Sequence, residues 1–296
     1  MTARAKGRAR LLLVGSAASF GLMAVLARLL SHRGFSAGQL TVVRFVVGAL
    51  VSLAAFRLRP GLYAPHNRRL LWSRGVSGGI VVLLYFLALQ RIPAGEAGML
   101  YNLFPVVATG LSALAFRERP TVHLLFALAA ATAGVVLVLG GGTLDLGIGA
   151  GEALAAGAAL FAAVSAVTIR AMRATDNAAT IFFYFCLGGL PVALPFALAA
   201  WPTAGLPWVL AVGMALAAFT AQLLMAEAYG ALSISEAAIW LQLTPIAQYG
   251  LAALLLAEPV SAAGALGVLV GVAGVAYGTI FGARRPATAV ATPPPA

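Results

Sequence analysis

The sequence predicts an all-α membrane protein: ten transmembrane helices, arranged as two inverted five-helix repeats around a central cavity. Three observations carry that expectation: the composition, the spacing of the apolar runs, and a match of the chain with itself at a displacement of 140 residues. Of 296 residues, 62% are hydrophobic and 9% are charged, and the mean hydropathy is +0.99. Soluble domains hold roughly 45–50% apolar and about 25% charged residues. Lipid is therefore the solvent for most of this chain. A cytosolic enzyme, a disordered regulator and a disulfide scaffold are excluded, the last because Cys186 is the single cysteine.

A helix crossing the ~30 Å hydrocarbon core needs about 20 apolar residues. Runs of that kind fall near 11–30, 36–56, 70–90, 94–115, 121–139, 149–170, 178–200, 207–229, 236–257 and 260–281. Turn or charge signals separate them, among them Ser31-His32-Arg33-Gly34, Arg57-Leu58-Arg59-Pro60-Gly61, Arg117-Glu118-Arg119-Pro120 and Gly140-Gly141-Gly142. The runs are continuous and rich in Ala, Leu and Gly, without the alternation of a transmembrane barrel strand. The first run continues past Ser16-Ala17-Ala18-Ser19 to Leu30, which favours a retained helix over a cleaved signal peptide. This divides the chain into a cytoplasmic N-terminus (1–10), a first repeat (11–139), a second repeat (149–281) and a disordered cytoplasmic tail (283–296).

The net charge of +11 is a matter of orientation rather than of nucleic-acid binding. Cytoplasmic loops collect Lys and Arg. One side receives Arg4, Lys6, Arg8 and Arg10, then Arg57, Arg59, Arg68, Arg69 and Arg74, then Arg117, Arg119, Arg170, Arg173, Arg284 and Arg285. The other side holds Arg28, Arg33 and Arg91. Both termini are expected in the cytoplasm, with the chain in the cell inner membrane.

At a displacement of 140 residues, Glu96, Ala97, Leu103, Pro105, Gly110 and Glu118 fall on Glu236, Ala237, Leu243, Pro245, Gly250 and Glu258. Two matched glutamates around a matched proline are costly coincidences in a chain with eight acids. Five spans per copy is an odd number, so the second copy enters the membrane upside down, as in many secondary transporters.

These residues resemble the drug/metabolite transporter superfamily, in its EamA-type branch of ten-helix proteins. The resemblance rests on Arg44-Phe45 in the second span, on the pattern Glu96-Ala97-Gly98, Pro105, Glu118, and on its recurrence at Glu236-Ala237-Ala238, Pro245, Glu258. Within the branch the chain is most similar to the bacterial amino-acid exporters of the YddG type. The resemblance implies a basket of helices around a central cavity, with the fifth and tenth helices as supports.

Cavity candidates are Ser19, Phe20, Met23, Tyr85, Tyr101, Asn102, Phe161, Ser165, Gln222, Glu227, Trp240 and Gln242, an aromatic and mildly polar set suited to small amphiphilic solutes. Glu227, near the end of its span, is the expected partner for a proton or a substrate amine. Glu96 and Glu236 start membrane helices, where the helix dipole favours an acid; they serve as caps or as gates. Pro105 and Pro245 each remove a backbone hydrogen bond and kink their helix, as hinge candidates. Arg44 is read as the one cation in mid-membrane, at a cost of roughly 2.5–3.5 kcal/mol, and either clamps an anion or ties helix 2 in place. With a single intramembrane cation, phosphate-bearing solutes are disfavoured. Gly267/Gly271 and Gly274/Gly278 allow close helix approach, expected within the chain rather than in a dimer.

There is no phosphate-loop motif, and His32, His66 and His123 lack metal-ligand spacing. The expectation is a secondary active transporter, not an enzyme, without cofactor or metal. It exports small metabolites, amino acids (aromatic ones included) first, as a monomer or weak homodimer in the bilayer. Efflux of hydrophobic cations and a non-transporting scaffold stand as alternatives.

Overall fold

A chain in lipid satisfies its backbone N–H and C=O groups within itself, and Ala- and Leu-rich runs give up little to do so as helices. The computed structural model describes residues 3–92, 97, 100–117, 120–140, 149–203, 205–256 and 260–281. The helices are α1 (Ala3–Ser31), α2 (Ala37–Leu58), α3 (Arg68–Leu89), α4 (Phe104–Ala115) and α5 (Val122–Gly140). After them come α6 (Ala150–Met172), α7 (Ala178–Ala193), α8 (Leu206–Ala228), α9 (Ile234–Leu241), α10 (Leu243–Leu256) and α11 (Ala262–Phe281). Among the described residues there is no strand. Among the described residues, eight helices are long and apolar enough to cross a membrane, with α9 and α10 together forming one of them. Two shorter apolar helices, Phe104–Ala115 and Val122–Leu137, stand where the other two full spans were expected.

Polar residues fix several helix starts. Ser36 and Gln39 form a capping box at α2, and Asn67 and Asn177 accept from Leu70 and Thr180 N–H. The Glu152 carboxylate accepts from Gly149 N–H ahead of α6, and Ser233 with Glu236 boxes the start of α9. The helix of the first span begins within the N-terminal segment 1–10, at Ala3. Arg and Ala are good helix formers, and α1 runs unbroken over 29 residues, about 44 Å, longer than the hydrocarbon core. The tail 283–296 lies outside the described residues, as do Glu96, Glu118 and Glu258.

The two prolines act one turn upstream of where they sit. The helical turn at Tyr101 gives way at Asn102–Leu103, and Pro105 is in the first turn of α4. In the second half the interruption is the single residue Gln242, three before Pro245. Proline cannot donate to the carbonyl four residues back and its ring crowds that carbonyl, here those of Tyr101 and Leu241.

Displacement by 140 residues places α1, α2, α3, α4 and α5 on α6, α7, α8, α10 and α11. The packing obeys the same exchange. Helix α1 lies against α8 while α3 lies against α6; α1 meets α10 while α4 meets α6; α2 meets α8 while α3 meets α7. Each repeat is thus completed by the other, and the space between them is shared. Helices α5 and α11 pair with each other through glycines: a Cβ on Gly134 would come within 2.6 Å of the Gly267 carbonyl oxygen and the Gly271 Cα. The α11 glycine stripe is therefore spent inside the chain. Outward faces carry exposed Leu114, Phe126, Leu254, Leu266 and Leu269, as lipid contact requires.

Candidate functional site

The repeats enclose a central cavity, and helical stripes line it. Phe20, Met23 and Ala24 come from α1, and Arg44 from α2. Helix α3 supplies Arg74, Gly78, Val81, Val82 and Tyr85, a run at three- and four-residue spacing that stays on one face. The second repeat contributes Ala162, Ser165, Ala166 and Ile169 from α6, then Gln222, Met225 and Tyr229 along and just past α8. The interrupted helices close the ring with Tyr101, Asn102 and Phe104 on one side and Leu241, Thr244 and Gln248 on the other. Four lining pairs are related by the 140-residue displacement: Val82 and Gln222, Tyr85 and Met225, Tyr101 and Leu241, Phe104 and Thr244. The cavity therefore sits on the relation between the repeats.

Its chemistry is cationic and aromatic. Arg44 and Arg74 are 5% and 3% exposed. Their guanidinium carbons lie 5.7 Å and 4.4 Å from the centre of the same Phe185 ring, close enough for cation–π attraction. Arg44 Nη1 points at Met23 Sδ, 3.3 Å away, a weak acceptor. Arg44 Nε, Arg74 Nε, Arg74 Nη1 and Ser165 Oγ are buried without a hydrogen-bond partner among the described residues. Gly78 makes room for Arg74, because a Cβ there would overlap its guanidinium and come within 2.6 Å of the Phe185 ring. Tyr85 and Tyr101 stack at 4.5 Å between centres, and Phe104 follows at 5.4 Å from Tyr101. No acidic side chain lines the cavity among the described residues.

Arg74 corrects two expectations. It does not stay with the cytoplasmic charges among which it was counted, since α3 begins at Arg68 and carries it more than a turn into the buried interior. Arg44 is consequently not the sole intramembrane cation, and the argument that the site lacks cations for doubly charged solutes falls.

Of the predicted cavity residues, Phe20, Met23, Tyr85, Tyr101, Asn102, Ser165 and Gln222 line it together with Arg44. The others do not. Glu227 is turned away, because two residues beyond Met225 on a helix is over half a turn; its carboxylate is 46% exposed and accepts from Arg173 Nη2 at 3.0 Å. Gln242 is fully buried at the α9–α10 interruption and donates to Thr132 Oγ1 of α5 at 2.9 Å. Ser19 and Trp240 are half-buried beside the lining stripes, and Phe161 is exposed at 38% on the outward side of α6. Thr244, Gln248 and Tyr229 were not anticipated.

Both ends of the bundle are tied across the repeats. Where α1 begins, Lys6 Nζ lies 3.1 Å from the Glu236 carboxylate, joining α1 to α9; within the second repeat, Arg170 donates to the Leu232 carbonyl. Glu236 is thus at once a cap and an ion-pair partner. At the opposite end, the Gln39 amide donates to the Ala199 and Ala200 carbonyls at 3.0 and 3.1 Å, while Trp208 stacks on Trp201 and meets the edge of Phe35.

The model of the EamA-like transporter family matches residues 7–140 and again 149–279. A crystal structure of a protein with 22% sequence identity superposes with a TM-score of 0.81, over 95% of this chain and 98% of the other, a likeness of fold. No curated protein matches the sequence.

Proposed function

The chain belongs to the EamA-like transporter family, and from that premise we propose that it is a secondary active transporter exporting small organic metabolites, amino acids first, by alternating access. It is a multi-pass membrane transporter, and the family to which it belongs is not one of enzymes. The observation that carries the proposed mechanism is the cavity between the repeats, lined at positions related by the repeat displacement. Two copies that pack in exchanged pairs can trade slightly different packings, opening the shared cavity to one side and then the other. The interruptions before Pro105 and Pro245 supply matched flexible points in that exchange. Export and the choice of amino acids follow the resemblance to YddG-type exporters. The aromatic walls and the guanidinium groups, which suit a carboxylate, support them.

The inner membrane and cytoplasmic termini are proposed on the charge asymmetry, which survives the move of Arg74 into the interior. A monomer or weak homodimer is favoured, since the α11 glycines are occupied by α5. Efflux of hydrophobic cations loses its support, because Glu227 lies outside the cavity and two arginines lie in it.

Counterflow of labelled amino acids in proteoliposomes tests the carrier mechanism. Saturable uptake accelerated by unlabelled solute on the far side is expected. Flux that neither saturates nor responds to trans solute would contradict a carrier.

A further inference from the structure

From Arg44 and Arg74 we infer the charge class of the solute: the cavity binds small organic anions carrying more negative than positive charge, with the anionic oxygens shared between the two guanidinium groups. This rests on the carrier reading above and narrows it, favouring acidic over neutral amino acids and dicarboxylates over monocarboxylates.

Two buried cations in low dielectric are costly unless paired. Neither arginine has an acidic partner among the described residues. The described acids are all engaged elsewhere: Glu152 at the α6 cap, Asp176 with Thr175 and His66 N–H, Glu227 with Arg173, Glu236 with Lys6. Three guanidinium nitrogens have no hydrogen-bond partner among the described residues, on side chains more than nine-tenths buried that line the cavity. A structural arginine in a membrane ties its nitrogens to carbonyls or carboxylates, whereas among the described residues the one hydrogen bond from either guanidinium is to a thioether. The repeat relation places Tyr184 and Met214 opposite Arg44 and Arg74, so both cations belong to one repeat and mark one wall for the anionic end. Beside them, Tyr85 on the same α3 stripe, Tyr101 and Phe104 offer ring faces for an apolar body, and Gln222 and Ser165 of the second repeat offer polar contacts. A zwitterion would leave one guanidinium uncompensated; a dianion compensates both.

Carboxylate and phosphate-monoester oxygens present the same chemistry to a guanidinium group, so the test carries both. The purified wild-type protein is titrated with succinate, glutamate, phenyl phosphate, phenylalanine and lysine while its melting temperature is followed, and each solute is also tried in counterflow. Succinate and glutamate, or phenyl phosphate if the phosphoryl group is the preferred source, are expected to raise the melting temperature, and phenylalanine and lysine are not. Arg44→Gln and Arg74→Gln should each weaken anion binding about 10- to 100-fold, as expected for loss of a hydrogen bond to a charged group. Without solute, both variants should melt no lower than wild type, since each loses a buried cation that has no acidic partner.

Preference for phenylalanine or lysine, or no shift with any anion, overturns the inference. So does a lower basal melting temperature with an unchanged solute ranking, which marks structural arginines. Counterflow of neutral or cationic solutes alone sinks the inference and leaves the carrier standing. Anion binding without counterflow of any solute sinks the carrier and leaves the inference.

Discussion

Gly134→Ala is expected to remove most of the folded protein recovered from membranes, although it adds a single methyl group to an apolar helix. The methyl would lie within 2.6 Å of the Gly267 carbonyl oxygen and the Gly271 Cα. Both are backbone atoms, so relief requires α5 and α11 to separate rather than a side chain to rotate. Overpacking of this kind costs typically about 1–3 kcal/mol, and the upper end applies where backbone meets backbone. Lipid tails are as apolar as the helices, so close packing, not hydrophobic burial, holds such pairs together. Gly110→Ala is the control, because a Cβ there meets nothing within 4 Å. Size-exclusion profiles of the two variants in detergent check the prediction: Gly110→Ala matching wild type, Gly134→Ala aggregated or absent.

The second large effect concerns the tie between α1 and α9. In a Cys186→Ala background, Lys6→Cys combined with Glu236→Cys, bridged by a short bifunctional thiol reagent, is expected to stop flux to the level of protein-free liposomes. Releasing the bridge with reductant, using a disulfide-forming reagent, should restore it. The native pair is partly exposed, with Lys6 at 38% and Glu236 at 15%, so breaking it alone costs about 1 kcal/mol at most and changes flux little. A covalent tie differs because it denies the repeats their relative motion. Full flux through the bridged protein would mean that this end need not open.

The register of the fold was legible because lipid imposes a simple rule: length and apolarity decide where helices lie. The repeat displacement read from Glu96/Glu236 and Pro105/Pro245 places every helix of one half on its partner, and the glycine spacing of α11 found its packing face. What failed was azimuth. Arg74 was counted with the cytoplasmic charges of Arg68 and Arg69 although the expected span 70–90 contained it, and counting back from Tyr85 through Val82, Val81 and Gly78 reaches Arg74 on the same stripe. The same count along α8 from Gln222 to Met225 and Tyr229 passes Glu227 on the far side. Charge drew the attention to Glu227, where helical phase was the better guide. Gln242 was misplaced for another reason: its environment is set by Thr132 on a distant helix, which no local pattern encodes.

Alternating access to the central cavity is tested most directly at Ser165, which lines it at 5% exposure. In the Cys186→Ala background, Ser165→Cys is reacted with a membrane-impermeant thiol reagent in right-side-out and in inverted vesicles. The account predicts labelling from both faces, slowed by an anionic solute. It also predicts that bridging residues 6 and 236 abolishes labelling from the face where α1 begins and leaves labelling from the other. Labelling from one face only, with and without the bridge, would contradict it.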